Sequence, residues 1–287
     1  MSDIILGTAT RQNLLSLQGI NDNLGTTQGH LSSGLKVASA LDDAVKFFQS
    51  QSLNDRAGDL SLRKDSIDQG ISSLTTAVNA SQSAISVLQQ LQGILNSAKT
   101  QTAAQRKSAA AQFSTLAQQL DTLLNDASYQ GLNLVNSTKS SLTLQFSNAT
   151  ASKLTIKGQN LLYSAVVTAG IISKVSNAAK NLVTVGFSAV SNNTSKFDTA
   201  FQSLQNAISK IQAAAQSIGG NVTFLQTRLD FTKQYIVTLQ GGASKLTVAD
   251  VNEESTNLVT LQTRQQLAIQ SLSIATQSEQ AVLRLFR

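Results

Sequence analysis

Residues 197–239, FDTAFQSLQNAISKIQAAAQSIGGNVTFLQTRLDFTKQYIVTL, carry apolar side chains at spacings that alternate between four and three. A repeat that averages about 3.5 residues is the seam of a coiled coil. A continuous helix of this length extends about 65 Å at about 1.5 Å per residue, so the seam predicts an elongated protein. Its members are Phe197, Phe201, Leu204, Ile208, Ile211, Ala215, Ile218, Val222, Leu225, Leu229, Thr232, Ile236 and Leu239.

Two further seams of the same period precede this one in the chain. Because a seam must be covered by another helix, we expect the three helices to pack together in a bundle. One seam comprises Ile67, Ile71, Leu74, Val78, Ser81, Ile85, Leu88, Gln92 and Leu95, and the other comprises Phe113, Leu116, Leu120, Leu123 and Ala127.

The two ends of the chain carry thinner apolar stripes. Burial of a Leu or Ile contributes about 1.5–3 kcal/mol, whereas ordering each backbone residue costs about 1–2 kcal/mol. We therefore expect both ends to be disordered in an isolated subunit and to fold when partner helices arrive. The front stripe is Leu17, Ile20, Leu24, Thr27 and Leu31, and the back stripe is Val251, Glu254, Leu258, Leu261, Gln265, Ala268, Leu272, Ala275, Glu279, Val282 and Phe286.

The middle of the chain changes to a period of two. Leu142–Phe146 and Lys153–Gly158 alternate around the polar turn SNATAS, which predicts a β-hairpin. Val183–Val190 resembles a further strand, and residues 172–181 resemble a short helix. The fold class is therefore mainly α: an elongated antiparallel coiled-coil or helical-bundle rod with paired N- and C-terminal helices and a small β-hairpin region in the middle. We expect five parts: an N-terminal helix (1–40), the N-terminal half of the rod (41–139), a small β-containing tip (140–196), the C-terminal half of the rod (197–242) and a C-terminal helix (243–287).

The composition favours long helices and a structural role. The chain has no proline, although average usage would give about 5%, and interior proline breaks helices. It has no cysteine, which removes disulfides, thiolate metal sites and cysteine nucleophiles. The net charge of +6 comes from scattered basic residues without interleaved aromatics, so we expect no nucleic-acid partner. Neither a cleaved signal nor an apolar stretch long enough for membrane insertion is evident.

Catalytic chemistry lacks the residues that it needs. His30 is the only histidine, and no nucleophile motif, metal-ligand spacing or glycine-rich phosphate loop accompanies it. The adjacent acidic pairs Asp42-Asp43 and Glu253-Glu254 do not form a dyad, because neighbouring helical side chains point about 100° apart. We therefore expect no catalytic residue, no metal and no cofactor.

The stretch LSSGLKVASALDDA, residues 31–44, resembles the N-terminal signature of bacterial flagellins, usually written around LSSGLRINSAKDDAAG. Lys36 stands at the usual arginine and Leu41 at the usual lysine. Residues 128–134, SYQGLNL, resemble the family's turn at the end of the N-terminal core, and residues 248–287 are similar to its C-terminal region. Because only about sixty residues separate the two similar regions, the chain looks like the short alphaproteobacterial flagellins that lack large outer domains.

The resemblance implies a role for each part of the chain. The paired ends would form the inner tube of a filament, the long helices a surrounding rod layer, and residues 32–44 the spoke between them. The implied inner-tube residues are Leu17, Ile20, Leu24, Leu31, Leu258, Leu261, Leu272, Val282 and Phe286. The implied spoke residues are Ser32, Ser33, Gly34, Leu35, Asp42 and Asp43. The implied rod seam is Ile71, Leu74, Val78, Ile85, Leu88, Leu204, Ile208, Ile211, Val222, Leu225 and Leu229.

The resemblance also implies a location and partners. The chain would be a self-assembling subunit of the extracellular flagellar filament for swimming motility, exported by the flagellar type III apparatus without a cleaved signal peptide. Its partners would be identical or sibling flagellins, hook-junction and filament-cap proteins and an export chaperone. Two alternatives stay open: a hook–filament junction protein, and a non-flagellar coiled-coil binding module for a membrane surface or a nucleic acid.

Overall fold

The computed structural model describes residues 8–147, 151–167 and 194–285. The described residues are mostly helical, with two short antiparallel hairpins. The helices are α1 (Thr8–Ser33), α2 (Ala44–Ala98), α3 (Ala103–Asp126), the single turn α4 (Tyr163–Val166), α5 (Thr194–Thr247) and α6 (Val251–Leu285). The strands are β1 (Ser128–Tyr129), β2 (Leu132–Asn133), β3 (Ser141–Gln145) and β4 (Lys153–Lys157).

The chain divides into two compact units. A bundle unit takes Asp59–Tyr235, and a terminal unit takes Met1–Gly58 and Ile236–Arg287. The predicted helix with the long seam is confirmed and runs further than its seam, over 54 residues. The predicted strand at Val183–Val190 and the predicted helix at residues 172–181 lie outside the described residues.

The bundle unit has one continuous hydrophobic core. Parts of α2, α3 and α5 enclose it, together with the β3–β4 hairpin and α4. Tyr163, Phe113 and Phe197 are among its largest fully buried side chains. Of the predicted seam residues, Leu74, Leu88, Leu204, Ile208, Ile211, Leu225 and Leu229 are buried, and Ile71, Val78, Ile85 and Val222 pack against the same core. The three seams thus meet in one bundle.

Helix α2 buries a second file of side chains that its seam did not predict. Ala77, Ala84, Leu91 and Ala98 recur every seven residues, and each is at most 2% exposed. A helix between two neighbours must present two faces, and alanine allows close approach on the second. On α5, Phe201 was predicted to lie in the buried seam, but it is 41% exposed, so this prediction is wrong.

Polar contacts fix the direction of α2 relative to α5 within the bundle unit. Gln92 Nε2 donates to Gln205 Oε1 at 3.0 Å. Seven residues later in the chain than Gln92, Lys99 pairs with Asp198, which lies seven residues before Gln205. Since the residue numbers rise on one helix as they fall on the other, the two helices are antiparallel.

The predicted β-hairpin is confirmed. β3 pairs with β4 in a register that places Leu142 opposite Ile156 and Leu144 opposite Leu154. Gly70 of α2 lets this hairpin lie close, because a Cβ there would be 2.5 Å from the Leu144 Cδ1 atom. A second, shorter hairpin, β1–β2, turns through Gln130 and Gly131, which both have positive φ, as type I′ hairpin turns require.

The terminal unit pairs α1 with α6. His30 contacts Glu254 at 3.2 Å, and Gln265 Nε2 donates to Asn21 Oδ1 at 2.7 Å, so these helices are also antiparallel. Many hydroxyls of α6 donate to the carbonyl four residues earlier in the same helix. They belong to Thr256, Thr260, Thr263 and Ser278.

Candidate assembly site

The linker segment, residues 34–43, joins α1 to α2 in the terminal unit. Gly34 ends α1 with φ +71° and donates its N–H to the His30 carbonyl at 2.8 Å. This left-handed conformation favours glycine, because any side chain there is strained. It turns the chain so that Leu35 pairs with Val248 in an antiparallel bridge. The end of α1 is thereby fixed to the start of α6.

Backbone hydrogen bonds hold that junction on both strands of the bridge. The N–H of Lys36 donates to the Thr247 carbonyl at 2.8 Å, and the N–H of Ala249 donates to the Gly34 carbonyl at 3.0 Å. Side-chain pairs flank the bridge, since Lys36 Nζ lies 3.6 Å from Glu253 Oε1. Asp250 then caps α6 by accepting from the N–H of Asn252 at 2.9 Å. The resulting junction is held by backbone hydrogen bonds on both sides of the bridge.

His30 and Glu254 meet inside this junction. His30 Nδ1 lies 3.2 Å from Glu254 Oε1, and the Glu254 side chain is 6% exposed. The sequence placed Glu254 in the back stripe and His30 beside the front stripe. Their contact explains why a polar side chain tolerates a buried stripe position, because a buried polar group needs a hydrogen-bond partner.

The two adjacent aspartates of the linker segment have different tasks. Asp43 caps α2, with its Oδ1 accepting from the Lys46 N–H at 3.0 Å. Asp42 closes the linker instead, because its Oδ2 accepts from the N–H groups of Ser39 at 2.8 Å and Ala38 at 3.0 Å. The Ser39 backbone hydrogen bond lowers the pKa of Asp42, and the Lys46 backbone hydrogen bond lowers the pKa of Asp43.

We expect the linker segment to loosen in acid. A carboxylate whose folded pKa is lowered stabilises the fold above its unfolded pKa, near 4, and this stability is lost as pH falls through the folded pKa. Replacing both residues, as Asp42→Asn and Asp43→Asn, should therefore flatten the pH dependence of thermal unfolding between roughly pH 5 and pH 3. Circular dichroism at a series of pH values measures this. Equal slopes for the double variant and the parent chain would contradict the assignment.

The stripe residues of α1 and α6 are covered only in part. Leu17, Ile20, Leu24, Leu31, Leu258, Leu261 and Leu272 are half-buried, whereas Thr27 and Glu254 are buried. The spacing placed Val251 in the back stripe, but its side chain is 59% exposed, so this part of the prediction is wrong. The side chain of Val282 and the whole of Phe286 lie outside the described residues.

A second set of apolar side chains on α1 and α6 was missed by the sequence analysis. These residues lie off the stripes and are exposed: Leu14, Leu15, Val259, Leu267, Ile269 and Ile274. Large apolar residues outside the stripe of an otherwise polar helix were the signal that could have found them. These exposed side chains and the half-buried stripes are apolar groups that the described part of the chain leaves accessible.

The remaining spoke residues lie at the end of α1. Ser32 and Ser33 are exposed, and Ser33 Oγ donates to the Gly29 carbonyl at 2.8 Å. Among the described residues, no group of three His, Cys, Asp or Glu side chains could hold a metal ion. No helix in the described part of the chain is long and apolar enough to cross a membrane.

Comparison with known protein families accounts for both units. The model of the bacterial flagellin N-terminal helical region matches residues 6–140, and that of the bacterial flagellin C-terminal helical region matches residues 202–286. The chain belongs to the bacterial flagellin family. Flagellins are structural proteins of the extracellular flagellar filament, so the chain is a filament subunit, and the predicted resemblance is confirmed.

Flagellins of similar length match this flagellin from end to end. The flagellin of Brucella melitensis is 25% identical over 287 residues, covering 100% of both chains. Flagellin C of Rhizobium meliloti is 27% identical over 321 residues, also covering 100% of both chains. Among solved structures, one described as a flagellar hook-associated protein of Vibrio parahaemolyticus gives a TM-score of 0.58 at 12% identity, covering 72% of this chain and 100% of that one. This last likeness concerns the fold alone.

Proposed function

We propose that the α1–α6 pair of each flagellin copy forms the inner layer of the filament and drives its assembly. The observation that supports this is the apolar surface that remains on these helices after they pair. Leu17 and Leu261 are only half-buried, and Leu15 and Leu267 are each more than 60% exposed. Helices from neighbouring copies would bury this surface, at about 25 cal/mol per Å² of apolar area. The linker segment would act as the spoke to the bundle unit.

The bundle unit would form the surrounding layer. Its core is complete within one chain, so its seam residues stabilise the subunit rather than the contacts between copies. The assembly residues of the inner layer therefore belong to the terminal unit, whereas the seam residues of the bundle unit are needed before assembly begins. Contacts that repeat from copy to copy without closing a ring build an open helical polymer.

Specific partners follow as part of the same proposal. A filament subunit must be exported and must begin on an existing structure. We infer that the chain copolymerises with sibling flagellins, contacts hook-junction and filament-cap proteins, and reaches the cell exterior through the flagellar export apparatus with a chaperone. A role as the hook–filament junction protein is the competing proposal, because a hook-associated protein shares the fold.

Seeded assembly tests the proposed function. Purified chain is added to short fragments of its own filaments, and growth is followed by electron microscopy and pelleting. We expect long tubes to grow from the fragment ends, because each end presents the uncovered apolar surface. A junction protein would cap the fragments without growth. Sedimentation with lipid vesicles or with DNA, in place of growth, would instead support a binding module and contradict the proposal.

A further inference from the structure

An aromatic ridge lies on the surface of the bundle unit. It comprises Phe224, Arg228, Phe231 and Tyr235 of α5, beside the core residue Phe146, which is 6% exposed. The Arg228 guanidinium lies over the ring of Phe146 at 5.0 Å and over the ring of Phe231 at 5.1 Å. Phe224 meets Phe146 edge to face at 6.1 Å, and Tyr235 stacks on Phe231 at 5.9 Å. Ring stacking and cation–π contact thus hold the ridge in one arrangement.

Two large aromatic side chains of the ridge are exposed close together on one helix. The chain has ten phenylalanines and three tyrosines, yet Phe224 is 51% exposed and Phe231 is 52% exposed on one ridge. Aromatic and arginine side chains are the residues that concentrate binding energy in protein interfaces. Because the ridge is already ordered, little conformational entropy would be lost when a partner covers it.

A small-residue groove runs between α2 and α3 of the same unit. Its volume is about 660 Å³. On α2 the groove extends from Thr76 to Ser83, and on α3 from Gln119 to Asp126. Alanine, serine and threonine supply most of its lining, which leaves room above the helix backbones. The groove residues belong to neither α5 nor β3.

The ridge and the groove match in length and in charge. Phe224 and Phe231 are seven residues apart, and each wall of the groove also spans seven residues, which is about 10.5 Å of helix. Large side chains packing into a trough of small ones is the usual way that two helical surfaces meet. Arg228 carries the ridge's one charge, and Asp126, of opposite sign, is the one charged residue that lines the groove.

We propose that the aromatic ridge of one copy seats in the small-residue groove of the next copy in the filament. A ridge and a groove on different elements of one molecule make a heterologous contact, which extends an open polymer when the rotation between copies does not close a ring. This inference rests on the proposed function, since it requires a filament, and it adds a contact made by the bundle units.

Cysteine pairing tests the contact directly, because the natural chain has no cysteine. One chain carries Thr227→Cys, which lies between Phe224 and Phe231 in sequence and leaves both rings intact. A second, tagged chain carries Ser83→Cys in the groove. The two are copolymerised on wild-type seeds, oxidised mildly and separated without reductant. We expect a mixed disulfide dimer in filaments, roughly tenfold or more above its level in dilute monomers, because assembly raises the effective concentration to the millimolar range.

A matched control distinguishes the ridge from the rest of α5. Gln226→Cys is exposed on the same helix one residue away, but its side chain points about 100° from that of residue 227. With the Ser83→Cys chain it should give little mixed dimer. Equal cross-linking by the control, or filaments without the mixed dimer, would overturn the inference. Failure of the parent chain to elongate would instead count against the proposed function.

A second measurement does not depend on cysteine chemistry. The double variant Phe224→Ala and Phe231→Ala should raise the critical concentration for elongation about tenfold or more, since buried aromatic anchors dominate interfaces. Phe201→Ala is the matched control, because Phe201 is 41% exposed on the same helix but lies outside the ridge. Circular dichroism verifies that both variants keep their helices. An unchanged critical concentration in the folded ridge variant would also overturn the inference.

Discussion

Removal of residues 1–35 is expected to abolish filament elongation while the bundle unit stays folded. The deletion removes all of α1, the left-handed turn at Gly34 and the Leu35–Val248 bridge. The back stripe on α6 then loses the helix that covers it, and neighbouring copies lose the part of the proposed assembly surface that α1 provides. The core of the bundle unit begins at Ile67, beyond the deletion, and should be unaffected.

Two measurements test this prediction, one of filament growth and one of folding. Pelleting and electron microscopy of seeded reactions should show no growth, and circular dichroism with thermal unfolding should show a cooperative helical transition close to that of the parent chain. A less drastic variant, Leu17→Gln with Ile20→Gln and Leu24→Gln, should act in the same direction without changing chain length. Normal filaments from the truncated chain would refute the assignment of assembly to the terminal unit.

Replacement of Phe113 by alanine is expected to lower the free energy of unfolding of the bundle unit by about 3–5 kcal/mol. Phe113 is fully buried on α3, and its ring meets that of Tyr163 edge to face at 6.3 Å. Truncation removes the contacts of α3 with α4 at their centre, and the close-packed surroundings can fill the cavity only in part. Urea unfolding followed by circular dichroism measures the change.

Leu62→Ala is the matched control for this substitution. Leu62 lies in the same unit but is 70% exposed, so its truncation should change the free energy of unfolding by no more than about 0.5 kcal/mol. A loss below about 1 kcal/mol for the Phe113 variant would mean that α3 contributes little to the core, contrary to the packing described above.

The long seams were predictable because their period is a property of the helix itself. Leu204, Ile208 and Leu225 stand where a period of about 3.5 residues requires a partner helix, and all three are buried. The second face of α2 was not predictable in this way. Ala77 and Ala84 carry too little apolar surface to mark a face in sequence, and their burial depends on where α3 and α5 come to lie.

The junction in the terminal unit shows the same limit. The cap that Asp43 provides for α2 reaches only three residues along the chain, which is a range that a local pattern can record. The pairing of Leu35 with Val248, and of His30 with Glu254, joins parts of the chain that are far apart in sequence. No local pattern records such a contact.

The hydroxyl groups of α6 have a mechanical consequence. The hydroxyls of Thr256, Thr260 and Thr263 already donate to carbonyls of their own helix. A neighbouring surface therefore meets their methyl groups and hydroxyls whose hydrogen atoms are already engaged. A joint between two such surfaces depends on van der Waals contact and not on directional bonds that a small displacement would break. We expect two such helix surfaces to shift by fractions of an ångström under torque without losing contact. A rotating filament could then deform elastically without breaking.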